Sequence, residues 1–291
     1  MSPFSSEINP SLVDFKHLSR LDLSYNNFEG SHIPEFIGSL NMLHYLDLSN
    51  ANFTGTVPPH LGNLSNLHYL GISCSYSLLW VRDFSWLSTL SSLSMGGLNI
   101  TSSPHELFRA VNKIPSLLEL HLDYCNLASL PPYSPFLNIT SLFVLDLSGN
   151  PFNSSIPSWL FNMSTLAYLR LSRSSLIGLA PSMLGRWKLC KLQVLDLSSN
   201  FITDDIGDII EAMSCSNQSL KWLDLSYNQL TGKFTHYLGK FNNLYSLDLT
   251  KNSVNSYSGI SGQIPASIGN LSKLGYLYLE GNKIVIPQFL T

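Results

Sequence analysis

The chain has 291 residues, a formal net charge of −3 and only 12% charged residues, against about 25% in an ordinary soluble domain. That balance excludes a basic nucleic-acid binder and an acidic tail protein. No apolar run of about 18 residues occurs, so no membrane-spanning helix is expected within these residues. The first ten residues have neither the basic n-region nor the apolar h-region of a signal peptide. Four cysteines leave room for one bridge but not for a disulfide scaffold.

Residues 1–17 read as a partial repeat, with Ile8 to Leu18 the tail of a preceding unit. From there Leu-x-x-Leu-x-Leu, with Ile72 and Met95 as the last residue of two weaker copies, recurs eleven times, beginning at Leu18, Leu43, Leu67, Leu90, Leu117, Leu142, Leu166, Leu192, Leu220, Leu244 and Leu274. The mean step is about 26 residues, inside the 20–29 range of a leucine-rich repeat. In Leu223-Asp224-Leu225 the leucines alternate with a polar residue, the period-2 signature of a short strand. One repeat cannot bury its leucines alone, so repeats stack and the strands pair in parallel. Ten full repeats are expected over 18–273 and an incomplete one over 274–291, in a single domain covering 1–291.

Five residues past the first strand leucine stand Asn26, Asn150, Asn200, Asn228, Asn252 and Asn282. An inward Asn there can bond to backbone groups of the neighbouring coil. Ala51, Ser75, Cys125 and Ser174 replace it elsewhere, where a weaker ladder is expected. The second half of several repeats carries a Gly…Ile-Pro spacer, as in Gly30-Ser-His-Ile33-Pro34, Gly55-Thr-Val57-Pro58 and Gly262-Gln-Ile264-Pro265, with variants at Ile156-Pro157 and Gly178-Leu-Ala-Pro181, the mark of plant-type repeats. Its Gly permits a turn and its Pro fixes an extended connection.

Ser103-Pro104-His105-Glu106 is a capping box that predicts a convex-side helix through Val111. Asp204-Asp205 followed by Ile206, Ile209, Ile210 and Met213 predicts a second. Asn252 to Gly262 is longer than Asn228 to Gly232 by six residues, and makes a polar loop with Tyr257 as a contact candidate. Cys190 and Cys215 precede consecutive strands by the same kind of interval, which suggests a disulfide in an oxidising compartment and two thiols in a reducing one. Sequons occur at Asn52, Asn63, Asn99, Asn138, Asn153, Asn162, Asn217 and Asn270.

No catalytic constellation, metal-ligand spacing or phosphate loop is present, so no enzyme activity, cofactor or metal is expected. The Asp row (Asp22, Asp47, Asp146, Asp196, Asp224, Asp248) reads as repeat consensus spaced along a sheet, not as carboxylates converging in a pocket. The candidate ligand-binding surface is the concave sheet. Its departures from consensus are Glu119, His121, Asp123, Tyr124, Tyr168, Arg170 and Arg173, with outward aromatics at Tyr45, Tyr69, Trp222, Tyr276 and Tyr278. Tyr, Trp and Arg dominate interface energies, although an aromatic on a strand also packs against its cross-strand neighbour.

With these motifs, and with Ile33-Pro-Glu-Phe-Ile-Gly-Ser-Leu40, Phe84-Ser-Trp-Leu-Ser-Thr-Leu-Ser-Ser-Leu93, Leu189-Cys190-Lys-Leu192, Ser214-Cys215-Ser-Asn-Gln-Ser-Leu220 and Asn252 to Gly262, the chain resembles the extracellular domain of plant leucine-rich-repeat receptor-like proteins. The likeness is greatest to the ethylene-inducing-xylanase-receptor-like group. The resemblance implies an α/β solenoid of horseshoe or superhelical form with a parallel concave sheet. It also implies a plasma-membrane receptor of defence or development whose ectodomain takes a peptide, protein or glycan and signals through a partner receptor kinase of the leucine-rich-repeat type. The group carries a signal peptide, caps at both ends and a membrane helix, none of which this sequence shows, so it reads as a truncated ectodomain expected to fray or aggregate at its ends. The alternatives are a secreted inhibitor of a microbial cell-wall-degrading enzyme, as in polygalacturonase inhibitors, and a non-functional truncated product.

Overall fold

The inward leucine of each short strand sets the architecture. A computed structural model describes residues 7–75, 79–82, 84, 87, 90–100, 104–135, 138–178, 187–252 and 259–285. The chain groups into two compact units, Met1–Leu127 with Ser134–Leu142, and Ala128–Tyr133 with Phe143–Thr291.

The first unit holds, in chain order, β1 (Arg20–Asp22), β2 (Tyr45–Asp47), β3 (Gly55–Thr56), β4 (Tyr69–Gly71), β5 (Leu79–Val81), β6 (Ser92–Ser94), β7 (Asn99–Ile100), α1 (Pro104–Val111) and β8 (Glu119–His121). Strands β1, β2, β4, β6 and β8 form a parallel ladder in which Leu21, Leu46, Leu70, Leu93 and Leu120 stand in register and are buried. Strands β3, β5 and β7 pair in parallel as a second, smaller sheet within the spacers. Short 3-10 helices, Glu35–Ser39 and Pro59–Asn63, begin directly after Pro34 and Pro58, so the fixed φ of the spacer proline leads into a tight turn of helix. In α1, Leu107, Phe108 and Val111 are buried, so the helix turns its apolar side to the core. The capping Ser103 lies outside the described residues.

The second unit holds β9 (Val144–Asp146), β10 (Tyr168–Arg170), β11 (Val194–Asp196), α2 (Ile206–Ala212), β12 (Trp222–Asp224), β13 (Ser246–Asp248), β14 (Ser261–Gln263), β15 (Tyr276–Tyr278) and β16 (Lys283–Val285). Here Leu145, Leu169, Leu195, Leu223, Leu247 and Leu277 stand in register along six parallel strands. All are buried except Leu277, which is 38% exposed on the last of them. Asp205 caps α2 by accepting the Gly207 N–H at 2.7 Å, and Ile206, Ile209 and Ile210 face the core. Gly232, at φ +90°, packs against that Asp205 carboxylate, where a β-carbon would collide with both oxygens. Cys190 and Cys215 form a disulfide with Cα atoms 4.8 Å apart, while Cys74 and Cys125 are free thiols.

The Asn ladder explains how successive coils are tied. The Asn200 Nδ2 donates to Leu197 O and, in the preceding coil, to Leu171 O. Its Oδ1 accepts the N–H groups of Ser174 and Leu176. Asn228 and Asn252 repeat the scheme toward Leu197 O and Leu225 O, accepting from Ile202 and Leu230. Asn26 differs: it is exposed and donates only within its own coil, to Leu23 O and Ser24 O. Two replacements keep the tie in shorter form. Ser174 Oγ donates to Leu147 O and the Cys125 thiol to Met95 O, each reaching the coil before it. Ser75 is exposed and turns sideways to Asn50 Oδ1.

Asn200→Ala strips two buried N–H groups of their acceptor and should cost about 3 kcal/mol of unfolding free energy, read by urea denaturation, whereas Ser75→Ala at the exposed equivalent should cost well under about 1 kcal/mol. Reducing the Cys190–Cys215 bridge, which closes a separation of 25 residues, should cost about 3 kcal/mol in the same assay.

Candidate functional site

Because every ladder strand is three residues long with its leucine inward, the two flanking side chains face out. In the first unit the outward residues satisfy one another. Arg20 lies 3.5 Å above the Tyr45 ring and 3.2 Å from Asp22. Tyr45 stacks on Tyr69 at 4.3 Å, and both hydroxyls donate to Asp47 Oδ2. Burial, then the Asp47 charge, raises the pKa of the Tyr69 phenol above its usual range. Tyr45 and Tyr69 therefore form a packed cross-strand column. Glu119 and His121 flank Leu120 on β8, and Glu119 accepts a bond from Ser92 Oγ at 3.1 Å.

Asp123 and Tyr124 stand beyond the strand, on the turn that follows it, rather than on its face. Tyr124 has φ +55°, and Arg173 occupies the same place in its repeat with φ +53°. The correction has a local cause: the chain turns two residues after the second leucine, so these side chains project from the rim. The rim of the first unit also holds a cleft of about 500 Å³ lined by Asn50, Ser73, Cys74, Gly96, Gly97, Asp123 and Tyr124. Gly97, at φ +75°, leaves room for Cys74 O to approach the backbone.

In the second unit Tyr168 and Arg170 flank Leu169, and Arg170 lies 3.9 Å from Asp146. Trp222, Tyr276 and Tyr278 are outward and more than two-fifths exposed, as is Tyr245, which the sequence reading passed over. Tyr245 meets Tyr276 edge to face at 5.2 Å. Arg20, Tyr245 and Ser246 carry no repeat-breaking signature and emerge only from register. Tyr257 lies outside the described residues. All eight sequon asparagines are described, and none stands on a ladder strand: Asn63, Asn162 and Asn270 each end a 3-10 helix, and Asn99 lies on β7. Among the described residues no group of three or more His, Cys, Asp or Glu is placed to hold a metal.

The family model for a leucine-rich repeat region matches residues 1–257. The chain belongs to the leucine-rich-repeat family. Its curated relatives are plant receptor-like proteins. It is 35% identical over 284 residues to receptor-like protein EIX1 of Solanum lycopersicum, covering 86% of this chain and 27% of the relative. It is 34% identical over 283 residues to EIX2 of the same plant, with 87% and 27% covered. The chain thus spans about a quarter of the length of these relatives. Among solved structures, a leucine-rich-repeat protein of Leptospira interrogans aligns with TM-score 0.69 at 22% identity, over 95% of this chain and 70% of that one. The Arabidopsis receptor kinase HAESA, in complex with the peptide hormone IDA and the co-receptor SERK1, aligns with TM-score 0.68 at 25% identity, over 95% and 52%.

On this leucine-rich-repeat scaffold the Asp row has a structural duty. Oδ1 of Asp146, Asp196, Asp224 and Asp248 each accepts the backbone N–H two residues on, closing the turn after the strand. Asp224 is the strained member: burial, and the neighbouring charges of Asp196 and Asp248, outweigh its bonds from Ser226 and raise its pKa above the usual 3.8. A raised folded-state value means that the ionised form opposes folding, so stability is highest below 3.8 and declines as pH rises through the folded value. Asp224→Asn keeps the Oδ1 acceptor and removes the charge. It should raise the melting temperature at pH 7 and leave this advantage absent at pH 3, as followed by circular dichroism.

Proposed function

We propose that the chain is part of the ligand-binding ectodomain of a plant cell-surface receptor-like protein. It takes a peptide or protein on its outward strand faces, on the extracellular side of the plasma membrane, and the signal passes through a partner receptor kinase. The observation that carries this reading is the separation of surfaces. Aromatic and charged departures from consensus occupy the ladder strands and the turns that follow them, whereas no sequon stands on a ladder strand. A face kept clear of glycan attachment points and supplied with Tyr, Trp and Arg is suited to close contact with a partner. The plant receptor-like relatives support the class, and HAESA with its peptide hormone and co-receptor supports the kind of partner. No helix among the described residues is long and apolar enough to cross a membrane.

The test is selection of a random twelve-residue peptide library on the oxidised chain, followed by competition with a Tyr168→Ala/Arg170→Ala/Arg173→Ala variant. Selected peptides should bind that variant at least about tenfold more weakly, since few contacts carry most of an interface energy. Peptides that bind unchanged both to it and to a Trp222→Ala/Tyr276→Ala variant, with folding intact, would contradict the reading.

A further inference from the structure

Strands β12, β13 and β15 place six outward side chains in two columns. Trp222, Ser246 and Tyr276 stand in register in the first, and Asp224, Asp248 and Tyr278 in the second. Neighbouring strands are about 4.8 Å apart, so the two carboxylates are separated by one such step. Their Oδ1 atoms are engaged by Ser226 and Thr250. Among the described residues no Lys or Arg nitrogen lies within 4.0 Å of either carboxylate. The nearby cations are committed elsewhere: Lys221 donates to Gln193 at 2.8 Å, Lys251 lies 5.3 Å above the Tyr227 ring, and Arg170 pairs with Asp146.

A second, independent feature is Ser246. It is fully buried, and among the described residues its hydroxyl has no hydrogen-bond partner. A buried hydroxyl left unpaired costs about 1–3 kcal/mol. Leu247 points inward, so Ser246 points to the outward side, between Trp222 on one flank and Tyr276 on the other. The two rings flank it on the solvent side and are 43% and 46% exposed.

The molecule also shows what fills such an arrangement. Arg20 lies on the Tyr45 ring beside Asp22, and Arg170 lies 6.0 Å from the Tyr168 ring centre beside Asp146. At Trp222 and Asp224 the aromatic ring and the carboxylate are present and the arginine is not. We infer that Trp222, Ser246, Tyr276, Asp224 and Asp248 form a seat for an arginine side chain of an extended polypeptide ligand. The planar guanidinium stacks between the rings, forks its donors to the two carboxylates and offers Ser246 Oγ the donor it lacks. A lysine ammonium has neither the plane nor the fork.

The inference rests on the proposed use of the strand faces and names the ligand chemistry at one of them. It is tested by titrating the full, oxidised chain with acetyl-Gly-Arg-Gly amide and with its neutral citrulline isostere, following the Trp222 indole N–H resonance. The arginine peptide should bind about tenfold more tightly than the isostere. Asp224→Asn/Asp248→Asn should abolish that preference, and Asp146→Asn should preserve it. Equal shifts with the two peptides, no shift with either, or a preference that survives Asp224→Asn/Asp248→Asn would each overturn the seat. Library-selected peptides that depend on Tyr168, Arg170 and Arg173 but show no cationic preference would overturn it too, while leaving the strand-face reading in place.

Discussion

A coil of about 26 residues holds too little apolar surface to keep its own leucines dry, and each leucine is dry only where coils lie on both sides of it. Leu46, Leu70 and Leu93 in one unit, and Leu169, Leu195, Leu223 and Leu247 in the other, meet that condition and are buried. Leu277, on the last described ladder strand, does not, and is 38% exposed. The requirement fixes register, because a one-residue slip would turn leucine outward and aspartate inward. Register in turn places outward residues from successive repeats in columns. The surface is thus a consequence of the core: Tyr45 meets Tyr69, and Trp222 meets Ser246, because Leu46 meets Leu70 and Leu223 meets Leu247.

Leucine burial excludes the one-residue slip but is itself non-directional. The asparagine ties supply direction, since the amides of Asn200, Asn228 and Asn252 each bond to carbonyls in two coils and accept N–H from the earlier one. Ser174 and Cys125 show how far the device can be shortened. Either reaches one carbonyl of the coil before it, but neither offers the second functional atom of an amide. Burial also raises the pKa of the Cys125 thiol, which suits a structural rather than a reactive cysteine.

The parts of this architecture governed by periodicity were legible in the sequence. The eleven repeats, the ladder position, the buried face of α2 and the pairing interval of Cys190 with Cys215 all follow from residue spacing. The spacer sheets were not legible, because a strand of two residues such as Gly55–Thr56 is too short to show alternation. The 3-10 helices escaped for a related reason: a single turn after Pro34 or Pro58 has no repeating face. At the surface, spacing identified outward residues without distinguishing their states. Tyr45 and Tyr69 proved to be satisfied by Asp47, whereas Trp222 and Tyr276 are open. Ser246 attracts no notice as a serine among many; only its aromatic neighbours in register and its unpaired hydroxyl single it out.

The account holds that side-chain ties outside the strands are as much a part of the stack as the strands themselves. Native-state amide hydrogen exchange of Ile202 and Leu230 tests this directly, because both lie outside regular elements and donate to Asn228 Oδ1 and Asn252 Oδ1. Their exchange should be as slow as that of the β11 and β12 amides and should require opening of the stack. Exchange as fast as that of exposed loop amides would show that the ladder follows the packing of the leucines without holding it.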